Sequence, residues 1–304
     1  MTSLSRDLEK RGFVVYVVAT SREEFLAVQA ESKPDIRPLA MDLVDVSALM
    51  RTLDVIKSCV KLSRTDEAIE QFGRALQTPI QSSPMSSRHH LEFTGLVIAP
   101  DLVYPSGSAL DLEPSIWQES FNVKVLSNIS ATRAFLPLII QHHSRVLFIT
   151  PNIIQSLKPA FNAVESSLGC ALEAYITSLQ REMTDYDVHV SHIKLGAVDF
   201  TSLPSSGTSS PTRGLTRVHM AKASSAKELH YSVFDALTMA KPFRIQRVGR
   251  GSMTYDMIGS FMPGSLVQWM LRGLRAKSVE KTIPADEWQD VDKSSKELIR
   301  SSES

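Results

Sequence analysis

The sequence predicts an α/β fold built on a doubly wound parallel sheet, and three observations predict it. Apolar, β-branched runs at residues 13–19, 93–100 and 145–150 have the unbroken hydrophobicity of strands covered on both faces. Segments of helical character separate the strands, so right-handed β-α-β crossovers must join them. With 304 residues and 43% hydrophobic content, the chain can bury the core of one large α/β domain.

Residues 4–12 read as the end of a surface helix, closed at Gly12, because a glycine takes the left-handed turn without a Cβ clash. The strand 13–19 follows. Thr20 and Ser21, with Glu23 and Glu24 behind them, open a helix with a cap and early negative charge. A short strand over 36–43 leads into a helix from Val46. Between 65 and 90 the pattern loosens: a helix-like piece at 66–76 gives way to a Ser- and Pro-rich excursion over 78–90. The strand 93–100, a helix from Trp117 that ends at 134–137, the strand 145–150, a helix over 171–182 and a partly alternating strand at 188–194 come next. A second excursion at 201–214 precedes a helix at 226–239, and 293–304 reads as a frayed end. The expected organisation is one domain over 1–280 with the two excursions as insertions, followed by a tail over 281–304.

Composition narrows the function classes. Lys plus Arg and Asp plus Glu are both 33, so no overall field draws the chain to nucleic acid. Cys59 and Cys170 have no metal spacing and form no disulfide framework, which fits a reducing, intracellular setting. The adjacent pairs His89–His90 and His142–His143 diverge on any regular element, so neither is a paired metal site. No G-x-S-x-G elbow positions a hydrolase nucleophile. The N-terminus lacks the apolar run of a secretory leader, and no segment is expected to reach the roughly 20 apolar residues of a membrane span. The expected location is cytoplasmic, or peripheral on an internal membrane. Residues 257–277 bear on that choice: two apolar clusters, Trp269 and the cations Arg272, Arg275 and Lys277 suit either a helix packed on the domain or a partner, or a peripheral membrane contact.

Many weak matches occur in one order along the chain. They are residues 12–22, Met41-Asp42-Leu43, the strand end at 97–100, the stretch from Trp117 through Ser127, the helix end at 134–137, the strand 145–150, the helix 171–182, and the segment 236–249 followed by Phe261, Met262 and Pro263. Together, from Gly12 to about Gly273, they resemble the short-chain dehydrogenase/reductase superfamily, above all its hydroxysteroid-dehydrogenase-like branch. In overall appearance the chain also resembles a fungal subfamily of unknown function related to those enzymes. The resemblance implies a Rossmann-like fold whose first strand and glycine-rich loop are missing here, which reads as an N-terminally incomplete sequence. It also implies an NADP site if an upstream segment completes the fold, because that loop is what brings backbone N–H groups to the pyrophosphate. Along the implied cofactor path lie Arg22, placed for a 2′-phosphate, Asp42, placed for adenine, Leu43 and Ala99. A solvated Arg22 and a turn-forming Asp42 are the alternative readings.

The implied catalytic residues do not match. Where the family has an Asn, a Ser, a Tyr and a Lys, this chain carries Lys124, Asn152 (with Pro151 beside it), Glu165 and Gly169. No Tyr is followed four residues later by Lys, so the phenol–ammonium pair that tunes proton transfer is absent. The expected function is that of a catalytically degenerate short-chain-dehydrogenase-like protein with a binding or scaffold role, its partner another protein or a second copy. The alternative is an NADP-dependent oxidoreductase with a non-standard site, in which Glu165 replaces the acid and Lys124 supplies positive charge. On the plainer reading, Glu165 and Lys124 are solvated or ion-paired helix residues.

Overall fold

The structure is a computed structural model that describes residues 2–19, 22–30, 35–40, 45–62, 92–99, 112–160, 162–199 and 224–279. Helix α1 (Thr2–Lys10) turns Leu4 and Leu8 into the core. It closes as its sequence predicts: Gly12 sits at φ +90°, its N–H donates to Glu9 O, and Phe13 N–H reaches back to Leu8 O. Strand β1 (Val15–Ala19) then runs parallel to β2 (Ile36–Ala40) across helix α2 (Arg22–Ala30), and α3 (Val46–Leu62) follows.

A second sheet holds β3 (Gly95–Ile98), β4 (Arg145–Pro151), β5 (His189–Leu195) and β8 (Ile245–Val248), all parallel and in the order β3-β4-β5-β8. Its register aligns Ile98, Phe148, His192 and Ile245 in one row. The short strands β6 (Val198–Asp199) and β7 (Ser224–Ser225) pair with each other. Helices cover both faces: α3, α4 (Pro114–Gln141) and α6 (Ala163–Glu182) on one, α1 and α7 (Ala226–Thr238) on the other. Alternation along the strands assigns the layers. Val146 and Phe148 of β4 join the first layer, and Leu147 and Ile149 the second. All four are at most 3% exposed, as a central parallel strand requires.

The six long strands do not form one ladder. Among the described residues, β1 pairs only with β2, and no hydrogen-bonded pair joins β1 to β3. Both nevertheless feed the same two layers, Tyr16 with Leu96 and Val15 with Val97. The expectation that residues 13–19 form a strand covered on both faces therefore fails in part: β1 is half-buried and Val18 is 38% exposed. A continuous apolar run reports hydrophobicity, but coverage also depends on having a neighbour along each edge.

Helix α4 (Pro114–Gln141) departs from its expected end near Pro137. It passes through that proline because Leu138 and Ile139, 3% and 0% exposed, anchor the last turn. By length and apolar composition α4 also meets the test for a membrane span, which corrects the expectation that no segment would; here Ala131, Phe135, Leu138 and Ile139 bury one side of it in the core. The helix-like piece at 66–76 and the excursions at 78–90 and 201–214 lie outside the described residues, as does the tail over 281–304.

Because β4 is packed on both faces and β1 is not, substitutions in the two strands should differ sharply. Phe148→Ala is expected to cost about 3–5 kcal/mol through the cavity it leaves, and Val18→Ala less than about 1 kcal/mol. Urea unfolding of the two variants measures both, and comparable losses would contradict the packing described.

Candidate functional site

In open α/β sheets, ligands bind beyond the carboxyl ends of the strands. Here that region is framed by α4, by the short helix α5 (Asn152–Leu157) that leaves β4, and by the start of α6. Helix α4 carries a π-helical turn at Asn122–Leu126, where Ser127 N–H donates to Asn122 O, five residues back. The local sequence supports this turn. Ser127 Oγ donates to Val123 O, Asn128 Nδ2 donates to Lys124 O at 2.7 Å, and Thr132 Oγ1 donates to Asn128 O at 2.7 Å. Polar side chains thus take up carbonyls that the wider turn leaves poorly paired. The turn places Lys124, half-buried, toward the start of α6.

Glu165 lies there and is 9% exposed, on the same turns of α6 as Val164 and Leu168, which form a hydrophobic cluster with Val125, Trp117 and Phe121. Burial pushes its carboxyl up to about 7, although the Asn162 hydrogen bond and the Lys124 charge both act to lower it. Glu165 is therefore not a solvated glutamate: loss of water is the first influence on its carboxyl, ahead of the Asn162 bond and the Lys124 charge. Asn162 is the N-cap of α6, three residues before Glu165, in the spacing of a capping box. Its Nδ2 instead donates to Glu165 Oε2 at 3.1 Å and makes no cap bond, so Asn162 Oδ1 is buried with no partner among the described residues. Ser166 Oγ, one residue beyond Glu165, is in the same condition. Gly169 follows one helical turn after Glu165 and is buried with no side chain to offer.

A different polar cluster holds Asn152. Its Nδ2 donates to Ser252 O at 2.6 Å and its Oδ1 accepts from Ser156 Oγ at 2.8 Å, while Ser252 Oγ donates to Lys194 O at 2.7 Å. These bonds lead to a group of charges. Lys194 Nζ, on β5, meets Glu173 Oε1 at 2.5 Å and Asp256 Oδ1 at 3.3 Å; Arg247 Nε, on β8, meets Asp256 Oδ2 at 2.6 Å; and Ser156 Oγ donates to Asp256 Oδ1 at 2.9 Å. Burial acts to raise the Asp256 carboxyl, but the Arg247 bond and the Lys194 charge outweigh it and hold the group below its ordinary range. Nearby, His192 is 2% exposed and shares a 2.7 Å hydrogen bond with Thr150. Burial, helped by the Lys194 charge, pushes it down to about 4, so it is neutral at pH 7.

The four tetrad-equivalent positions therefore divide. Lys124, Glu165 and Gly169 share one site, and Asn152 is engaged in holding α8 (Ser252–Phe261) against β4 and β5. Of the cofactor-path residues, Arg22 opens α2 directly beyond β1, Ala99 follows β3 and packs into the second core layer, and Asp42 and Leu43 lie outside the described residues, as do His89 and His90. The charge cluster was missed in the sequence, though one signal was present: Lys194 stands between Ile193 and Leu195 near the end of a partly alternating strand, where a buried ammonium group needs counter-charges. An open groove of about 690 Å³ between α7 and β8, lined by Tyr231, Glu228, Arg247 and Arg250 among others, contains none of the tetrad-equivalent residues.

Comparison with known proteins places this geometry. The family described as "Fungal family of unknown function (DUF1776)" matches residues 1–219. The UPF0744 protein C106.03 of Schizosaccharomyces pombe is 24% identical over 266 residues, which are 87% of this chain; the chain spans only 64% of that relative's length. Among solved structures, a short-chain dehydrogenase from Streptomyces avermitilis superposes with a TM-score of 0.59 at 15% identity, covering 96% of this chain and 92% of its own. Serine dehydrogenase from Escherichia coli gives 0.57 at 13%, covering 81% and 90%. The closed form of a serine dehydrogenase complexed with NADP+ gives 0.60 at 14%, covering 81% and 88%. At these identities the likeness establishes the fold alone, an α/β parallel-sheet architecture of short-chain-dehydrogenase type.

Two variants follow from the two polar clusters. Glu165 binds its proton more tightly folded than unfolded, so the fold loses stability as pH rises from about 4.5 to about 7 and is level above that. Glu165→Gln should remove this slope, leaving the variant more stable than the parent by on the order of 2 kcal/mol at pH 8 and equal to it near pH 4; denaturant melts across that range read it out. Lys194→Met strips the buried cation from its carboxylates and should cost about 3 kcal/mol, part of which the double variant with Glu173→Gln recovers.

Proposed function

The chain belongs to this fungal family of unknown function, and we propose that it is a catalytically degenerate protein of short-chain-dehydrogenase fold that acts by binding, as a scaffold for a protein partner or a second copy, rather than by turnover. The fate of the four tetrad-equivalent positions supports this reading. No tyrosine is followed four residues later by a lysine, Asn152 is committed to Ser252, and Gly169 has no side chain. What is left around Glu165 suits recognition: a carboxyl raised to about 7 and so about half protonated at neutral pH, Lys124 nearby, and two buried oxygens, Asn162 Oδ1 and Ser166 Oγ, without partners among the described residues. Such atoms are expensive to leave unpaired, so a ligand or a water that pairs with them gains the energy of hydrogen bonds the fold itself does not make.

One observation favours a second reading, an NADP-dependent oxidoreductase with a non-standard acid. A carboxyl poised near 7 has the acidity general-acid catalysis needs, and Lys124 would meet the carboxylate formed once the proton has moved to a carbonyl oxygen as hydride reaches the carbonyl carbon.

Titration calorimetry with NADPH and reduction assays on steroid, retinoid and acyl ketones separate the two. The binding reading expects no saturation by NADPH below about 1 mM and no ketone reduction above background. Turnover that vanishes in Glu165→Gln would overturn it and make Glu165 the general acid; turnover indifferent to that change would move the chemistry elsewhere in the fold.

A further inference from the structure

Helices α8 and α9 (Gly264–Val279) carry an apolar surface that the rest of the described fold does not cover. Their inner sides are firmly seated. Tyr255 is 6% exposed and Val267 9%, both against Leu157, and Asp256 is held in the charge cluster. A side chain at Gly259 would collide with the Ser156 carbonyl, so α8 approaches α5 as closely as only glycine permits. The outer sides are different: Met253, Met257 and Phe261 recur every fourth residue along α8 and are 66%, 52% and 81% exposed, and Leu266 and Trp269 on α9 are 48% and 75% exposed. Soluble surfaces carry single apolar side chains routinely, but a contiguous stripe of this kind marks a contact with another apolar phase.

Charge identifies that phase. From Met253 to Val279 the sequence contains one carboxylate, Asp256, and it is neutralised internally by Arg247 and Lys194. After Trp269 the sequence of α9 adds Arg272, Arg275 and Lys277. A second copy paired through this segment would bring like charges together with no free acid within it to meet them. An anionic bilayer accepts both features at once: methionine, leucine and phenylalanine enter the acyl boundary, Trp269 lies at headgroup depth, and a segment of net positive charge is drawn to anionic headgroups.

We propose that the outer face of α8 and α9 docks this protein peripherally on an anionic lipid surface. The proposal is independent of the role assigned to Glu165, because no residue of that site contributes to this face. Flotation of the full chain with phosphatidylcholine vesicles containing about 30% phosphatidylserine, and with pure phosphatidylcholine, tests it. Expected are flotation with the acidic vesicles, at least about tenfold less with neutral ones or in high salt, and a comparable loss in Phe261→Asp and Trp269→Asp. Both residues are exposed, so their thermal midpoints should match the parent and show that folding is intact. Failure of the parent to float with acidic vesicles would overturn the proposal, as would variants that float equally well. A dimer in light scattering that Phe261→Asp dissociates, without any vesicle binding, would assign the face to a second copy.

Discussion

Lys194 lies at the end of a strand covered by helices on both faces, where an ammonium group without counter-charges would cost several kcal/mol, and the elements around it are arranged to supply them. Glu173 comes from α6 and Asp256 from α8, and Asp256 in turn receives Arg247 from β8 and Ser156 from α5. Four side-chain charges that sum to zero thus join two strands and two helices at the carboxyl end of the sheet, and the Ser156 hydroxyl adds a third helix. The backbone takes part as well, through Ser252 Oγ on Lys194 O and Asn152 on Ser252.

This cluster determines what the neighbouring site has to work with. Asn152 emerges from β4 where a ligand-facing polar residue is expected for this fold, but the network has drawn it toward α8. Across the region, Glu165 is buried and reaches the opposite electrostatic solution. Lys194 and Asp256 are buried as charges and stabilised by pairing; Glu165 is buried with Lys124 too weak an influence to keep it ionised, so it retains its proton to about pH 7. Its orientation comes from the N-cap of α6, whose Asn162 donates to a side chain rather than capping the helix. The polar resources of the site are therefore a carboxyl, a half-buried ammonium group and two oxygens without partners among the described residues.

The same anchoring shapes the surface. Because Asp256 and Tyr255 face inward, helical geometry forces Met253, Met257 and Phe261 outward, and α9 inherits its position from Val267 against Leu157. At the other end of the molecule, β1 and β3 share core layers without a ladder between them, which leaves β1 half-buried despite an entirely apolar composition. Structure is most tightly specified in the middle, from α4 to β5, and less so toward each end of the sheet.

Much of the architecture could be read from the chain alone, because strands covered on both faces must be apolar and helices must follow them. The runs at 93–100 and 145–150, the glycine closure at Gly12 and the helix at 226–239 all correspond to elements, since each depends on neighbours close in sequence. The absence of a tyrosine–lysine pair was equally plain, being a matter of residue identity. What only the tertiary structure decided is where unlike segments meet. Pro137 stays helical because Leu138 and Ile139 are gripped by the core, Val18 is exposed on a strand that among the described residues has a partner along one edge only, and Lys194 is tolerable because carboxylates 21 positions upstream and 62 downstream arrive beside it. Glu165 shows the division most clearly: its identity and helix were legible, but the acidity of a carboxyl depends on how much water the fold removes around it, and no local pattern of residues records that.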